Sequence, residues 1–136
     1  MVKSGWMVSN DSFLLLAQID ELEGKASKEV FLCHERHPDW PISFMVIKKQ
    51  NHFYCYLNIC PHAGHPLNLS DHQFLSKEGD SILCRSHGAR FKVRSGECFF
   101  GPCVGSALGQ LKVKVDAGNL LVDKREFEKL AQAYIF

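Results

Sequence analysis

Two short stretches carry most of this chain's ligand chemistry. The first is Cys60-Pro61-His62, followed by Ala63-Gly64-His65-Pro66; the second is Cys84-Arg85-Ser86-His87, followed by Gly88. Each supplies one thiol and one imidazole. Side chains two or three positions apart on a loop can converge on one centre, and two such loops packed as neighbours present four ligands. Thiolates suit zinc and iron–sulfur clusters, and imidazole suits zinc and iron. Zinc is therefore one reading of the set. Zinc fingers usually pair two cysteines on one knuckle and two histidines on one helix. A mixed pair on each loop fits a binuclear cluster instead, one iron taking both thiolates and the other both imidazoles.

Loops of this kind need rigid elements to hold them, and the surrounding pattern is mostly strand-like. Val30 to Cys33 reads as a short strand. Ile42 to Ile47 reads as another, bounded by Pro41 and Lys48-Lys49-Gln50-Asn51, and Phe53 to Ile59 as a third. Gln50-Asn51-His52 is the turn between the last two. Ser81 to Leu83 is a strand running into Cys84, and Arg90 to Val93 follows, with a turn at Ser95-Gly96. Leu111 to Val115 alternates strictly, with apolar residues at 111, 113 and 115. With Leu120 to Val122 it forms a hairpin across a four-residue loop, Asp116 to Asn119. Residues 101–109 read as one long loop. Asp123 with Glu126 three residues later is a capping-box-like helix start. Phe127, Leu130, Ala131, Tyr134 and Ile135 then share one helical face, expected to pack on the chain's own sheet. The expected fold class is all-β with a short C-terminal helix over about 124–135.

The 136 residues suit a single domain, 1–136, able to bury a core unaided. With 46% hydrophobic residues, disorder is not expected. A net charge of +1 argues against a nucleic-acid partner held by phosphate contacts. The longest apolar run, Phe13 to Ala17, is broken by Gln18 and Asp20, far short of the ~18 residues of a membrane span. With no signal-peptide pattern the expected location is cytoplasmic, or an organelle reached by a signal no longer present. Six cysteines are too few for a disulfide scaffold and read as thiols or metal ligands. Cys55 and Cys33 read as small core residues. His34, His37, His52 and His72 lack paired partners and read as surface.

The order and flanks of the two clusters resemble the Rieske family, whose motif is C-x-H, a connector, then C-x-x-H. The resemblance covers roughly residues 28–123. It rests on Tyr56-Leu57-Asn58-Ile59-Cys60-Pro61-His62, Gly64 and Leu67, Leu83-Cys84, His87-Gly88-Ala89-Arg90-Phe91, Ser95-Gly96, Gly101-Pro102 and Leu121-Val122. The 21-residue connector between His62 and Cys84 is a few residues longer than is common in the family; the surplus is expected to loop out around Ser70 to Asp80. The resemblance implies Rieske-like stacked antiparallel sheets and one [2Fe-2S] cluster per chain, bound by Cys60, His62, Cys84 and His87.

It also implies a class. Two ferric ions, two sulfides, two thiolates and two neutral imidazoles sum to no net charge, so reduction is easier than for a cluster on four thiolates. The family's high-potential class carries an extra cysteine in each loop; His65 and Ser86 stand at those positions here. That class also places a serine and a tyrosine where this chain has Ala89 and Phe91, so two hydroxyl donors to sulfur are missing. Both departures point to a low-potential, ferredoxin-type carrier. Cys98 and Cys103 flank Gly101-Pro102, which resembles the family's proline loop over the cluster; Cys103 is read first as a small loop residue, with tuning of solvent access or oxidation under stress as the alternative. The implied function is one-electron transfer, not catalysis. First comes the ferredoxin component of an oxygenase, with a reductase as donor and an oxygenase or reductase as acceptor. A small subunit of a nitrite-reductase-like enzyme is second, and a zinc-stabilised or cluster-free interaction module third. A monomer is expected over a dimer.

Overall fold

The computed structural model describes residues 12–61, 64, 66–68, 73–85 and 88–135. Among the described residues, ten strands form three antiparallel sheets: β1 (Phe13–Gln18), β2 (Ser27–His34), β3 (His37–Lys49), β4 (His52–Leu57), β5 (Ser81–Leu83), β6 (Arg90–Lys92), β7 (Cys98–Phe100), β8 (Gln110–Leu111), β9 (Val113–Asp116) and β10 (Asn119–Asp123). A short 3-10 turn, Ile19–Leu22, follows β1, and a helix, α1 (Lys124–Tyr134), follows β10. The sheet orders are β1-β10-β9, β2-β3-β4-β8 and β5-β6-β7.

The four-stranded sheet is the middle layer. Phe44, Met45, Val46 and Ile47 of β3 are all buried. Successive side chains on a strand point to opposite faces, and the two faces meet different cores. Phe44 and Val46 join Cys55 and Leu57 of β4, Leu120, Val122, Phe127 and Ala131. Met45 and Ile47 join Tyr56, Leu67, Phe74, Phe91, Cys60 and Cys84. One face thus carries the outer sheet and the helix, and the other carries the subdomain of the two cysteine loops. The Tyr56 hydroxyl donates to the Val93 carbonyl across this second core.

The hairpin at Gln50-Asn51 is tighter than a three-residue turn. Lys49 pairs with His52, and the two turn residues take φ of 52° and 65°, the left-handed pair of a type I′ turn. The strand before it runs beyond the expected Pro41 boundary. Both Pro38 and Pro41 lie in β3, where β2 is the only strand partner among the described residues; β4 pairs with residues 44–49. A proline cannot donate to a ladder, and a half-paired segment tolerates it.

The alternating run from Leu111 to Val115 is not one strand. Leu111 pairs with Cys55 in the middle sheet, and Val113 pairs with Val122 in the outer one. The chain changes sheets at Lys112, and Val115 is exposed. The expected four-residue loop is a two-residue turn, Ala117-Gly118, because Asp116 pairs with Asn119. β1, read from sequence only as a failed membrane span, is an edge strand on β10. A bulge between Leu15 and Ala17 lets consecutive Leu16 and Ala17 both face inward.

α1 starts where expected: the Asp123 carboxylate accepts from the Glu126 amide at 3.0 Å. Phe127 sits 5.9 Å from the Phe44 ring, and a Cβ on Gly109 would lie 2.8 Å from Leu130 Cδ1. The helix therefore packs on its own chain, although Tyr134, expected on the apolar face, is exposed. Asp123→Ala is expected to cost about 1 kcal/mol, the worth of an N-cap. Urea unfolding would register it as a lower midpoint at unchanged slope.

Candidate metal centre

Cys60 and Cys84 both sit at the ends of strand-to-loop passages, and both are fully buried in the same core. The two loops are built alike. The Gly64 amide donates to the Cys60 carbonyl at 2.8 Å, and the Gly88 amide to the Cys84 carbonyl at 2.9 Å. Each cysteine thus opens a turn closed four residues later by a glycine, at φ 73° for Gly64 and 75° for Gly88. Glycine adopts that left-handed conformation without the Cβ penalty. His62 and His87 fall in sequence within these turns and lie outside the described residues, as do His65, Ser86 and His72.

The loops are bound to each other. The Arg85 amide donates to the Leu67 carbonyl at 2.9 Å, and the Leu83 amide to the Phe74 carbonyl at 2.8 Å. The Arg85 guanidinium reaches the Leu75 carbonyl at 2.9 Å. Within the described part of the connector, residues 74–76 are therefore paired back onto the strand that leads to Cys84. Phe74 is fully buried, Leu75 bridges to Ile82, and Ser76 accepts from the Ser81 amide. Ser70 and Asp71 lie outside the described residues.

Sequence reasoning missed the group that anchors the first loop. Asn58 is buried, two residues before Cys60. Its amide nitrogen donates to Asn68 Oδ1 at 2.9 Å and to Ser43 Oγ at 3.0 Å, and its oxygen accepts from the Leu67 amide at 2.8 Å. Glu29 of β2 accepts from Ser43 Oγ at 2.5 Å and from Asn68 at 3.2 Å. The network ties both ends of the loop to β2 and β3. The signal available in sequence was a polar residue in an apolar strand end, Tyr56-Leu57-Asn58-Ile59. Buried polar groups of this kind require partners.

Behind the second loop lie Ala89 and Phe91, both fully buried as core residues. Gly101, at φ 100°, lies against Ala89, where an added Cβ would come within 2.9 Å of the Ala89 Cα. The 101–106 segment is thereby pressed onto the Cys84 loop. Cys98 and Cys103 are buried there, with their sulfurs 2.9 Å apart. Cys55 is a core residue, and burial pushes its thiol well up. Two single-residue readings are corrected. Cys33 is exposed, because it faces away from the core on β2. His34 is buried, accepting from the Arg36 amide at 3.0 Å through Nδ1 and lying 6.3 Å from Phe127.

The donor set suits a soft-ligand metal group. Two buried thiols, not joined to each other as a disulfide, open matched turns inside one apolar core. Such surroundings exclude water and favour a centre that balances thiolate charge.

The Rieske [2Fe-2S] domain model matches residues 12–117. Among solved structures, the ferredoxin of carbazole 1,9a-dioxygenase from Nocardioides aromaticivorans IC177 is 26% identical at TM-score 0.61, covering 82% of this chain and 96% of that one. The Sphingomonas yanoikuyae B1 ferredoxin is 21% identical at TM-score 0.61, covering 81% and 96%. A complex of reduced oxygenase and oxidized ferredoxin in carbazole 1,9a-dioxygenase contains a chain 22% identical at TM-score 0.63, covering 82% and 93%. No curated protein matches in sequence. Among the described residues no helix is long and apolar enough to cross a membrane.

Proposed function

Because the chain belongs to the Rieske [2Fe-2S] domain family, we propose that it is a one-electron carrier whose cluster is held by Cys60, His62, Cys84 and His87. The observation that carries the ligand assignment is the pair of matched turns opening at Cys60 and Cys84, bonded to each other through Arg85 and Leu67. Bound there, the cluster supplies reversible one-electron chemistry. The chain's own residues exclude water around the two thiols, with Leu67, Phe74, Ala89 and Phe91 all fully buried in the same core. Asn58 and Gly101 hold the two loops in register.

The carrier serves as the ferredoxin component of an oxygenase-type system, taking electrons from a reductase and docking on an oxygenase. The likeness to the carbazole dioxygenase ferredoxin supports this reading. It acts as a monomeric single domain in the cytoplasm. The absence of a hydroxyl at Ala89 and Phe91 supports the low-potential class.

Purified protein is expected to contain about two irons and two acid-labile sulfides per chain, and to take up one electron. Ligation by neutral histidines adds a pH signature. Histidine rings holding a ferric cluster would have a lowered pKa that rises on reduction, so above the oxidised-state pKa each electron would bring a proton. The potential should then fall by about 59 mV per pH unit at alkaline pH. Zinc in place of iron would overturn the carrier. A potential flat into strongly alkaline solution would overturn the histidine ligands.

A further inference from the structure

Four of the six cysteines are accounted for by the proposed ligands, by core packing at Cys55 and by exposure at Cys33. The other two form a pair. Cys103 Sγ donates to Cys98 Sγ at 2.9 Å, and Cys98 Sγ donates to the Phe100 carbonyl at 3.3 Å. A disulfide spans about 2.05 Å, so the sulfurs need to close by only about 0.9 Å. The backbone already holds the ring shut. The Cys98 amide donates to the Ser106 carbonyl, and the Ser106 amide to the Cys103 carbonyl, both at 2.9 Å.

Position adds to proximity. The thiols are covered by a thin, exposed segment: Gly101, Pro102, Val104, Gly105 and Ser106 are all exposed, while the thiols are 5% and 6% exposed. A small solute has a short way in, unlike at fully buried Cys55. On the inner side, Gly101 presses on Ala89, whose carbonyl accepts from the Cys84 amide at 2.9 Å. The pair therefore sits in the segment that backs the Cys84 loop.

We propose that Cys98 and Cys103 are a second redox site, a dithiol that hydrogen peroxide oxidises to an intramolecular disulfide. The peroxide O–O bond breaks and one S–S bond forms. Each sulfur gives up one electron, and the two thiol protons leave with the two oxygens as two waters. The first attack makes a sulfenic acid on one sulfur, and the other displaces its oxygen. The product closes a covalent ring over residues 98–103, which contains Gly101. Burial and the hydrogen bond to Cys98 push the Cys103 thiol up to about 12, so the reaction is slow beside that of a free thiolate.

The test treats purified, cluster-loaded protein with hydrogen peroxide, removes the peroxide with catalase, then denatures, alkylates and digests with trypsin. Peptide 95–112 contains Cys98 and Cys103 and no other cysteine. Its expected product is lighter by two hydrogens, unalkylated at both thiols, and restored by dithiothreitol. In Cys98→Ser and Cys103→Ser protein the two-hydrogen loss should be absent at the same peroxide dose. The proposal is overturned if both thiols stay alkylatable while exposed Cys33 oxidises, if they reach sulfinic acid without linking, or if Cys60 and Cys84 link instead. Iron measured on the same sample keeps this separate from the carrier reading, since the link is expected whether or not iron is retained.

Discussion

Cys84→Ser protein is expected to fold and to contain no cluster: iron and acid-labile sulfide fall from about two each per chain to near zero, and the visible absorption goes with them. Cys84 is fully buried, so water has no access to take the place of a missing thiolate. A serine hydroxyl is harder and far less acidic than a thiol, and soft thiolates are what select iron–sulfur clusters. The loop around the substitution should persist. Its hydrogen bonds run through backbone atoms, from the Cys84 amide to Ala89 and from the Gly88 amide to Cys84. Cys55→Ser is the matched control. Cys55 is as deeply buried but lies on β4, facing the other core. It should lose some stability and keep its iron. Cys84→Ser protein that retained two irons would remove Cys84 from the ligand set, and equal iron loss in both variants would make the effect one of general unfolding.

Asn58→Ala is expected to cost about 2–4 kcal/mol, the largest stability loss to follow from a single polar side chain here. The buried Leu67 amide would lose its acceptor, a penalty of about 1–3 kcal/mol. Ser43, Asn68 and the Glu29 carboxylate would lose the donor at their centre, and bonds to charged groups are worth more than neutral ones. The damage is local to the loop that begins at Cys60 and ends at Leu67. Iron release to a chelator should therefore accelerate by more than the global loss implies. Urea unfolding measures the first quantity and the decay of visible absorption the second. Stability within about 0.5 kcal/mol of the parent, the range of ordinary surface changes, would show that the network does not hold the loop.

These two expectations differ in where they came from. Cys84 is proposed as a ligand from sequence because a metal site needs particular side chains at close spacing along the chain. Cys60-x-His62 and Cys84-x-x-His87 state that requirement in local sequence. Asn58 was not legible as an anchor. Its partners Glu29, Ser43, Leu67 and Asn68 lie 9 to 29 residues away, and only the folded sheet brings them together. The same division runs through the fold. Asp123 capped its helix as read, since a cap is made within three residues. The run at Leu111 to Val115 did not stay one strand, because a period of two says which face a residue takes and not which sheet it joins. His34 was read as surface for want of a sequence neighbour, yet the helix that buries it lies some ninety residues on, at Phe127.

By itself, then, the sequence determined the all-β class, the C-terminal helix, the two cysteine loops and the family, each written in local spacing or alternation. Tertiary structure alone decided the rest. It split the consecutive apolar residues Phe44 to Ile47 between two cores. It bound the two cysteine loops to each other through Arg85 and Leu67. It also brought Cys98 and Cys103 within 2.9 Å. The physical reason is common to all three. Packing is a relation between residues distant along the chain, and no local pattern encodes which distant surface a side chain will meet.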